Sequence, residues 1–291
     1  MPISDHPSFS RPTVGQRLWR YMDLPKFIDL ITSRNLWLTN AEVLAIDDPH
    51  EGLQGAVQFP HRMWKDIKDV PDVLRRQIIE RRHSSEDMTE EQAFRNWFML
   101  EEQHCFMTQS GRRNFYVNCW HMAEFESAAM WKIYSSPGAG IAIISSAGRL
   151  HTALENTEED LHFGAVEYVH PLNFEIGSPN AFNPIVKKRS NFSYEQEARV
   201  VHWHKGNYHD PLEHFAWDDE SMRFENIVEN PEPITPGLAV KCDVATMIEH
   251  VIVSPFAPSW YLPMINRLLK DLGYELTASF SNLLVAPQII E

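Results

Sequence analysis

Glu195, Glu197 and Arg199 recur at every second position within the stretch Tyr194-Glu-Gln-Glu-Ala-Arg-Val-Val-His-Trp203. On a strand, alternate side chains leave the same face, so this spacing stacks charge where a fold alone would alternate apolar with polar. Two carboxylates held that close push one of their pKa values up, which suits general acid–base chemistry. A basic run, Lys187-Lys188-Arg189, lies just upstream, with Phe192 between the two clusters. The plainer alternative is a Glu–Arg ladder on the solvent face of an edge strand, since surface ion pairs are common and contribute only about 0–1 kcal/mol.

Other acids and bases stand further off. The turn Asp47-Asp48-Pro49-His50-Glu51-Gly52 carries three carboxylates. Asp48, Glu51, Glu195 and Glu197 together form a candidate oxygen set for Mg²⁺, with Lys188 meeting a phosphate. The acids come from distant segments, however, and Asp47-Asp48-Pro49 also reads as an Asx turn. His202 and His204 flank Trp203, and His209 and Asp210 follow. With 14 histidines in the chain, chance proximity explains these better than a metal site does. Cys119, in Cys119-Trp120-His121, reads as a buried structural thiol rather than a nucleophile. Met130 and Tyr134 share a helical face, where core packing is the default.

Composition bounds these choices. The chain has 291 residues, 43% of them hydrophobic, which is enough for a sizeable core. Its net charge of −14 argues against non-specific coating of nucleic acid, which rests on neutralising phosphates. Cys105, Cys119 and Cys242 are far apart and form no C-x-x-C pair, so neither a zinc ribbon nor a disulfide framework is expected. The opening Met-Pro-Ile-Ser-Asp-His is too polar for a signal peptide, and no apolar run approaches the ~20 residues of a membrane span. A cytoplasmic protein with reduced thiols and no membrane partner is expected.

The elements that must position the charged cluster follow from periodicity. Residues 1–15 read as a flexible arm, and residues 16–291 as one α+β domain. A central mixed β-sheet with flanking helices is expected, with a helical insertion near residues 60–105 and an acidic loop or lid at 205–235. Leu18–Tyr21 and Leu36–Leu38 read as strands around a helix that Asp23 caps and Ser33 ends. Phe115–Trp120 is a strand. Glu124–Ile133 is a helix, with Phe125, Ala128, Ala129 and Ile133 on its buried stripe. The apolar run Gly140–Ser145 reads as a central strand. Strands are expected at His162–Val169, Glu195–Trp203, Leu238–Cys242, His250–Val253 and Tyr274–Ser279, with a short helix over Pro184–Asn191. Pro258–Leu272 is a helix closed by Gly273. Neither G-x-G-x-x-G nor G-x-x-x-x-G-K-[ST] is present.

In order along the chain, several short motifs assemble. They are Trp19-Arg20-Tyr21 with its helix, Leu36-Trp37-Leu38, Asp48–Glu51, Cys119-Trp120, Ala129-Met130-Trp131 through Tyr134, Gly140–Ile143, Lys188 through Phe192 to Arg199, and Val251–Pro255. Over about residues 16–285 the chain resembles a bacterial family, domain of unknown function 2971, whose members often lie near phages and mobile elements. At the level of fold it is also similar to ADP-ribosyltransferases, whose arginine-modifying branch carries Glu-x-Glu on a late strand, as Glu195-Gln196-Glu197 does. The central Ser-Thr-Ser of that branch is not present; Tyr134-Ser135-Ser136 is a partial counterpart. The resemblance implies an NAD-dependent transferase acting as a toxin or antiphage effector. In that role Glu197 would stabilise the oxocarbenium-like sugar left by nicotinamide, and Glu195 would take a proton from the acceptor. Arg20 would hold the pyrophosphate, Tyr21 or Tyr134 would stack on nicotinamide, and Arg199 would line the cofactor site. The acceptor, whether protein, nucleic acid or small molecule, is left open. A non-enzymatic nucleotide- or partner-binding domain and a metal-dependent nuclease or phosphodiesterase remain as alternatives.

Overall fold

A computed structural model describes residues 3–53, 60–80, 88–136, 138–170, 180–204, 215–218, 220–226 and 235–285. Strand β1 (Arg17–Asp23) runs into helix α1 (Leu24–Ser33). Pro25 sits in the first turn, where its missing N–H leaves nothing unpaired, and Phe27, Leu30 and Ile31 turn into the core. The helix stops at Arg34, which is left-handed (φ 56°) and donates its N–H to Leu30 O. Asp23 precedes the helix as expected, but its carboxylate accepts from Ser136 N and Oγ, both at 2.7 Å, rather than from the helix. Next come β2 (Asn35–Asn40), α2 (Ala41–Leu44), α3 (Asp72–Glu80), α4 (Glu90–Gly111), β3 (Phe115–Met122), α5 (Ala128–Tyr134), β4 (Gly140–Ser146) and α6 (Ala147–Ala153). The chain continues through β5 (Leu161–Ala165), β6 (Glu167–Val169), α7 (Asn183–Val186), β7 (Lys187–Arg189), a 3-10 turn (Ser190–Glu195) and β8 (Glu197–Trp203). It closes with β9 (Phe215–Asp218), β10 (Arg223–Asn226), β11 (Gly237–Lys241), α8 (Val244–Met247), β12 (His250–Val253), α9 (Tyr261–Asp271) and β13 (Ala278–Phe280).

The fold is α+β, built on a nine-stranded mixed sheet. Its main path is β11-β2-β3-β1-β4-β12-β13, with β8 on β3 and β5 on β8; β12 and β13 are parallel. β4 lies between β1 and β12, covered on both faces, and its apolar run Ile141–Ile144 is buried throughout. One face of the sheet carries Leu18, Met22, Trp120, Ile141 and Ile143 and packs on α1, α6 and α9. The other face carries Trp19, Tyr21, Ala142 and Ile144 and is covered by Met130 and Trp131 of α5.

The sheet forks at β3. Along one edge, β3 pairs with β8 from Phe115↔Trp203 to His121↔Glu197. The other edge is shared. Leu18 and Trp19 of β1 pair with Met122 and His121, whereas Thr39 and Asn40 of β2 pair with Val117 and Tyr116. Asn118, Cys119 and Trp120 lie between these two ladders and belong to neither. Asn118 bridges part of the gap, its Nδ2 donating to Trp37 O at 2.7 Å.

Several expectations are corrected. The segment expected as a flexible arm is docked: Ile3 and Ser10 form bridges to Leu161 and Ala165, and Ile3 and Phe9 are buried. Gly164 makes this approach feasible, because a Cβ there would meet Phe9. The helix expected from Glu124 begins at Ala128, capped by Ser127, and buries Met130 and Trp131. Phe125 and Ile133 are exposed instead. The strand expected over His162–Val169 is two strands, since β6 leaves the main sheet to pair with β7. The helix expected over Pro184–Asn191 is one turn, followed by β7. The insertion forms a cluster of its own, in which Ile67, Ile78, Phe94 and Phe98 of the helical segment meet Trp217 of β9. Within the expected lid, β9 and β10 pair as a hairpin; residues 205–214, 219 and 227–234 lie outside the described residues, as do 84–87 of the expected helix break.

Candidate functional site

Beside the fork lies a cavity of about 890 Å³, whose lining includes Glu51, Glu195, Glu197 and Lys188 together with Arg20 and Trp120. That volume lies within the roughly 300–1,000 Å³ usual for small-molecule sites. Trp37, Ile133, Tyr134 and Tyr194 add exposed apolar surface to its lining.

Glu195 and Glu197 do not share a strand. Glu195 ends the 3-10 turn, Gln196 is left-handed (φ 41°), and β8 begins at Glu197. The kink nevertheless brings both carboxylates to one ammonium. Lys188 Nζ lies 2.5 Å from Glu195 Oε2 and 3.6 Å from an oxygen of both Glu197 and Glu51. Arg199 forks between the same partners. Its Nε and a terminal nitrogen take Glu197 at 2.8 and 3.0 Å, and its two terminal nitrogens take Glu51 at 2.5 and 3.1 Å. One terminal nitrogen also donates to Ile185 O at 2.6 Å. Three carboxylates thus share two cations, all in the protein interior.

Electrostatics follow from this packing. Burial works to raise the Glu197 pKa, but Arg199 and then Lys188 outweigh it and hold the carboxyl below its ordinary range. Burial works to lower the pKa of Lys188, and Glu197 overturns this, with Glu51 and Glu195 adding to it, so the ammonium is held more firmly than usual. Tyr134 donates its hydroxyl to Glu195 Oε1 at 2.7 Å; burial and then that bond push its pKa well up, so it acts as a donor. His121 Nδ1 lies 2.6 Å from Glu195 O and therefore carries a proton towards it. Tyr168 Oη accepts Glu197 N–H at 2.8 Å. Arg189 pairs with Asp48 at 2.6 Å, and Phe192 lies under the Lys188 and Arg189 cations at 4.8 and 5.2 Å.

The other expected residues divide. Tyr134 lines the cavity and is 41% exposed. Tyr21, expected to stack on a ligand, is buried against Trp131, and its hydroxyl accepts Ser127 N–H at 2.9 Å; it belongs to the packing of α5. Arg199, expected at the cofactor, is 1% exposed and saturated by Glu197, Glu51 and Ile185 O; it belongs to the scaffold of the acids. Arg20 leaves β1 on the same face as Leu18 and Met22, opposite to Glu197, and shares with the acids only the lining of the cavity. Its guanidinium lies 6.0 Å from the Trp120 ring and has no carboxylate partner among the described residues. Burial lowers its pKa to about 10.

The metal readings find little support in the geometry. Among the described residues no group of three or more His, Cys, Asp or Glu is arranged to hold an ion. Glu51, Glu195 and Glu197 converge on the Lys188 ammonium, and Asp48 on Arg189. His202 and His204 have ring centroids 5.9 Å apart, and His202 Nδ1 bonds Asp160 O; His209 and Asp210 lie outside the described residues. Cys119 lies beside Glu197, and burial and that carboxylate push its thiol pKa well up, so it is not a poised nucleophile. No helix among the described residues is long and apolar enough to cross a membrane.

Trp37, which lines the cavity, was not among the expected site residues, although its place between Leu36 and Leu38, both wholly buried, marks it as facing the other way. It also placed Glu51 only as a metal ligand. No family model, curated protein or solved structure matches the chain.

Proposed function

We propose that the cleft is the active site of an NAD-dependent ADP-ribosyl-transferring enzyme of the toxin or antiphage-effector kind, with Glu195 as its acting carboxylate. The observation that carries this reading is the pairing of unlike halves in one cavity: a carboxylate held by Tyr134 and Lys188, and a guanidinium, Arg20, with no acidic partner among the described residues. NAD⁺ has the complementary halves, a ribose that turns cationic when nicotinamide leaves and an anionic pyrophosphate. The cavity volume and the exposed Tyr134 ring fit such a ligand.

In this reading Glu195 stabilises the positive charge that develops on the ribose and accepts a hydrogen bond from a sugar hydroxyl. Tyr134 fixes the rotamer of Glu195 and offers its ring to the departing base. Arg20 takes the pyrophosphate. Glu197, saturated by Arg199, keeps the Glu195 turn in place rather than meeting the sugar. Incubation with adenylate-labelled NAD⁺ and cell lysate tests the proposal. Label transfer or nicotinamide release is expected from the wild type and should vanish in Glu195→Gln. If the wild type does not bind NAD⁺ at millimolar concentration, the proposal fails.

A second reading, a nucleotide-binding module without turnover, is favoured by one observation: both oxygens of Glu195 already have protein partners. NAD⁺ binding without nicotinamide release, unchanged in Glu195→Gln, would establish it.

A further inference from the structure

Trp37 is held in place more firmly than an exposed side chain needs to be. It is 41% exposed and lines the cavity. Leu36 and Leu38 enter the core, so Trp37 and Thr39 leave β2 on its other face. Thr39 pairs with Val117, and Val117 with Val201. Trp37 therefore stands level with Arg199 and on the same side of the sheet as Glu197.

One neighbour holds its backbone and another backs its ring. Asn118, 2% exposed, donates to the Trp37 carbonyl at the point where the β2–β3 ladder ends. Gly237 of β11 lies under the indole, and a Cβ there would fall 2.6 Å from Trp37 Nε1. Any larger residue at 237 would displace the ring. A broad apolar ring backed closely by a glycine in the wall of a cavity loses little conformational freedom when a ligand covers it.

We infer that Trp37 is a stacking platform for the planar base of a nucleotide. The inference rests on reading the cleft as a nucleotide site, and it adds base recognition, which neither Arg20 nor the glutamates supply. Base–aromatic stacking tolerates different bases, so the platform selects for a flat ring rather than for one particular ring.

Calorimetric titration of the full chain with AMP, NAD⁺ and ribose 5-phosphate tests it. Wild type binds AMP and NAD⁺. Trp37→Ala weakens both by about tenfold or more, Trp37→Phe retains most of the affinity, and ribose 5-phosphate binds the wild type and Trp37→Ala alike. Gly237→Ala, which moves the ring and leaves it present, reproduces the loss. Unchanged AMP affinity in Trp37→Ala, or an equal loss for ribose 5-phosphate, overturns the platform. If NAD⁺ turnover still depends on Glu195 in that case, the proposed function stands without it. A wild type that binds none of the three at millimolar concentration overturns both.

Discussion

Lys188 and Glu195, seven positions apart, form an ion pair of 2.5 Å at the centre of the site. The same ammonium stands 3.6 Å from Glu51 and Glu197, so it is the joint counter-charge of the acidic cluster. Removing one partner of a buried ionic network leaves its opposite uncompensated, at a cost of about 3–5 kcal/mol. Lys188→Met is therefore expected to lower unfolding free energy by that amount in urea titration. A loss below about 1 kcal/mol, the range of surface pairs, would mean that water, not Lys188, neutralises the acids.

Glu195 and Glu197 should separate into different roles. Glu197 is bound through both oxygens to Arg199, so Glu197→Gln is expected to cost about 3 kcal/mol of stability. Glu195→Gln keeps an acceptor for Tyr134 and, although it removes the closest counter-charge of Lys188, leaves that ammonium Glu51 and Glu197 at 3.6 Å. It should therefore cost less than Glu197→Gln, about 1–2 kcal/mol, while ending NAD⁺ turnover. Paired melting curves and nicotinamide-release rates check both. The reverse pattern, with Glu197 dispensable to folding and Glu195 dispensable to turnover, would exchange the assignments.

Arg20 should weaken the free protein. Burial opposes its charge, and no acid among the described residues offsets it. Arg20→Met is expected to raise stability by about 1–2 kcal/mol. Pyrophosphate should raise the melting temperature of the wild type by binding the native state, and leave that of the variant unmoved. Destabilisation by Arg20→Met would show that the guanidinium serves packing against Trp120 instead.

The dependence on pH has a definite sign. The folded pKa of Glu197 lies below its ordinary 4.5, so its stabilisation is present above that value and is lost as pH falls through the folded one. The folded pKa of Lys188 lies above its ordinary 10.5. Its contribution is complete below that value and is lost as pH rises through the folded one. Between these limits the cluster should contribute a flat profile. Urea midpoints measured from about pH 3 to pH 6 should fall more steeply for wild type than for Glu197→Gln; equal slopes would remove Glu197 from the acid limb.

Much of the scaffold was legible because its signals are local. The Gly140–Ser145 run, too apolar for any exposed face, is the buried β4, and Pro25 and Gly273 stand where the helices they bound begin or end. What escaped depends on tertiary context. Glu195-Gln-Glu197 has strand spacing, and a left-handed backbone at Gln196 leaves no mark when the residue is neither Gly nor Asn. The helix near residue 128 was read four residues early because Phe125 looks like a core residue; Ser127 supplies the cap, and Phe125 stays outside. Arg20 was correctly placed on β1, but which side of the sheet it faces depends on β3 pairing with both β1 and β2, and that long-range pairing has no sequence signature.

The parting of β1 from β2 leaves the sheet joined there by a seam only two residue pairs wide, Leu18↔Met122 and Trp19↔His121. Side chains rather than ladder bonds close the core there, where Leu18, Leu36, Leu38 and Trp120 pack as one cluster. Trp37 stands on β2 and Tyr134 on α5, which packs on β1, and both line the one cavity, so a ligand that touches both would tie together the two strands that the parting separates.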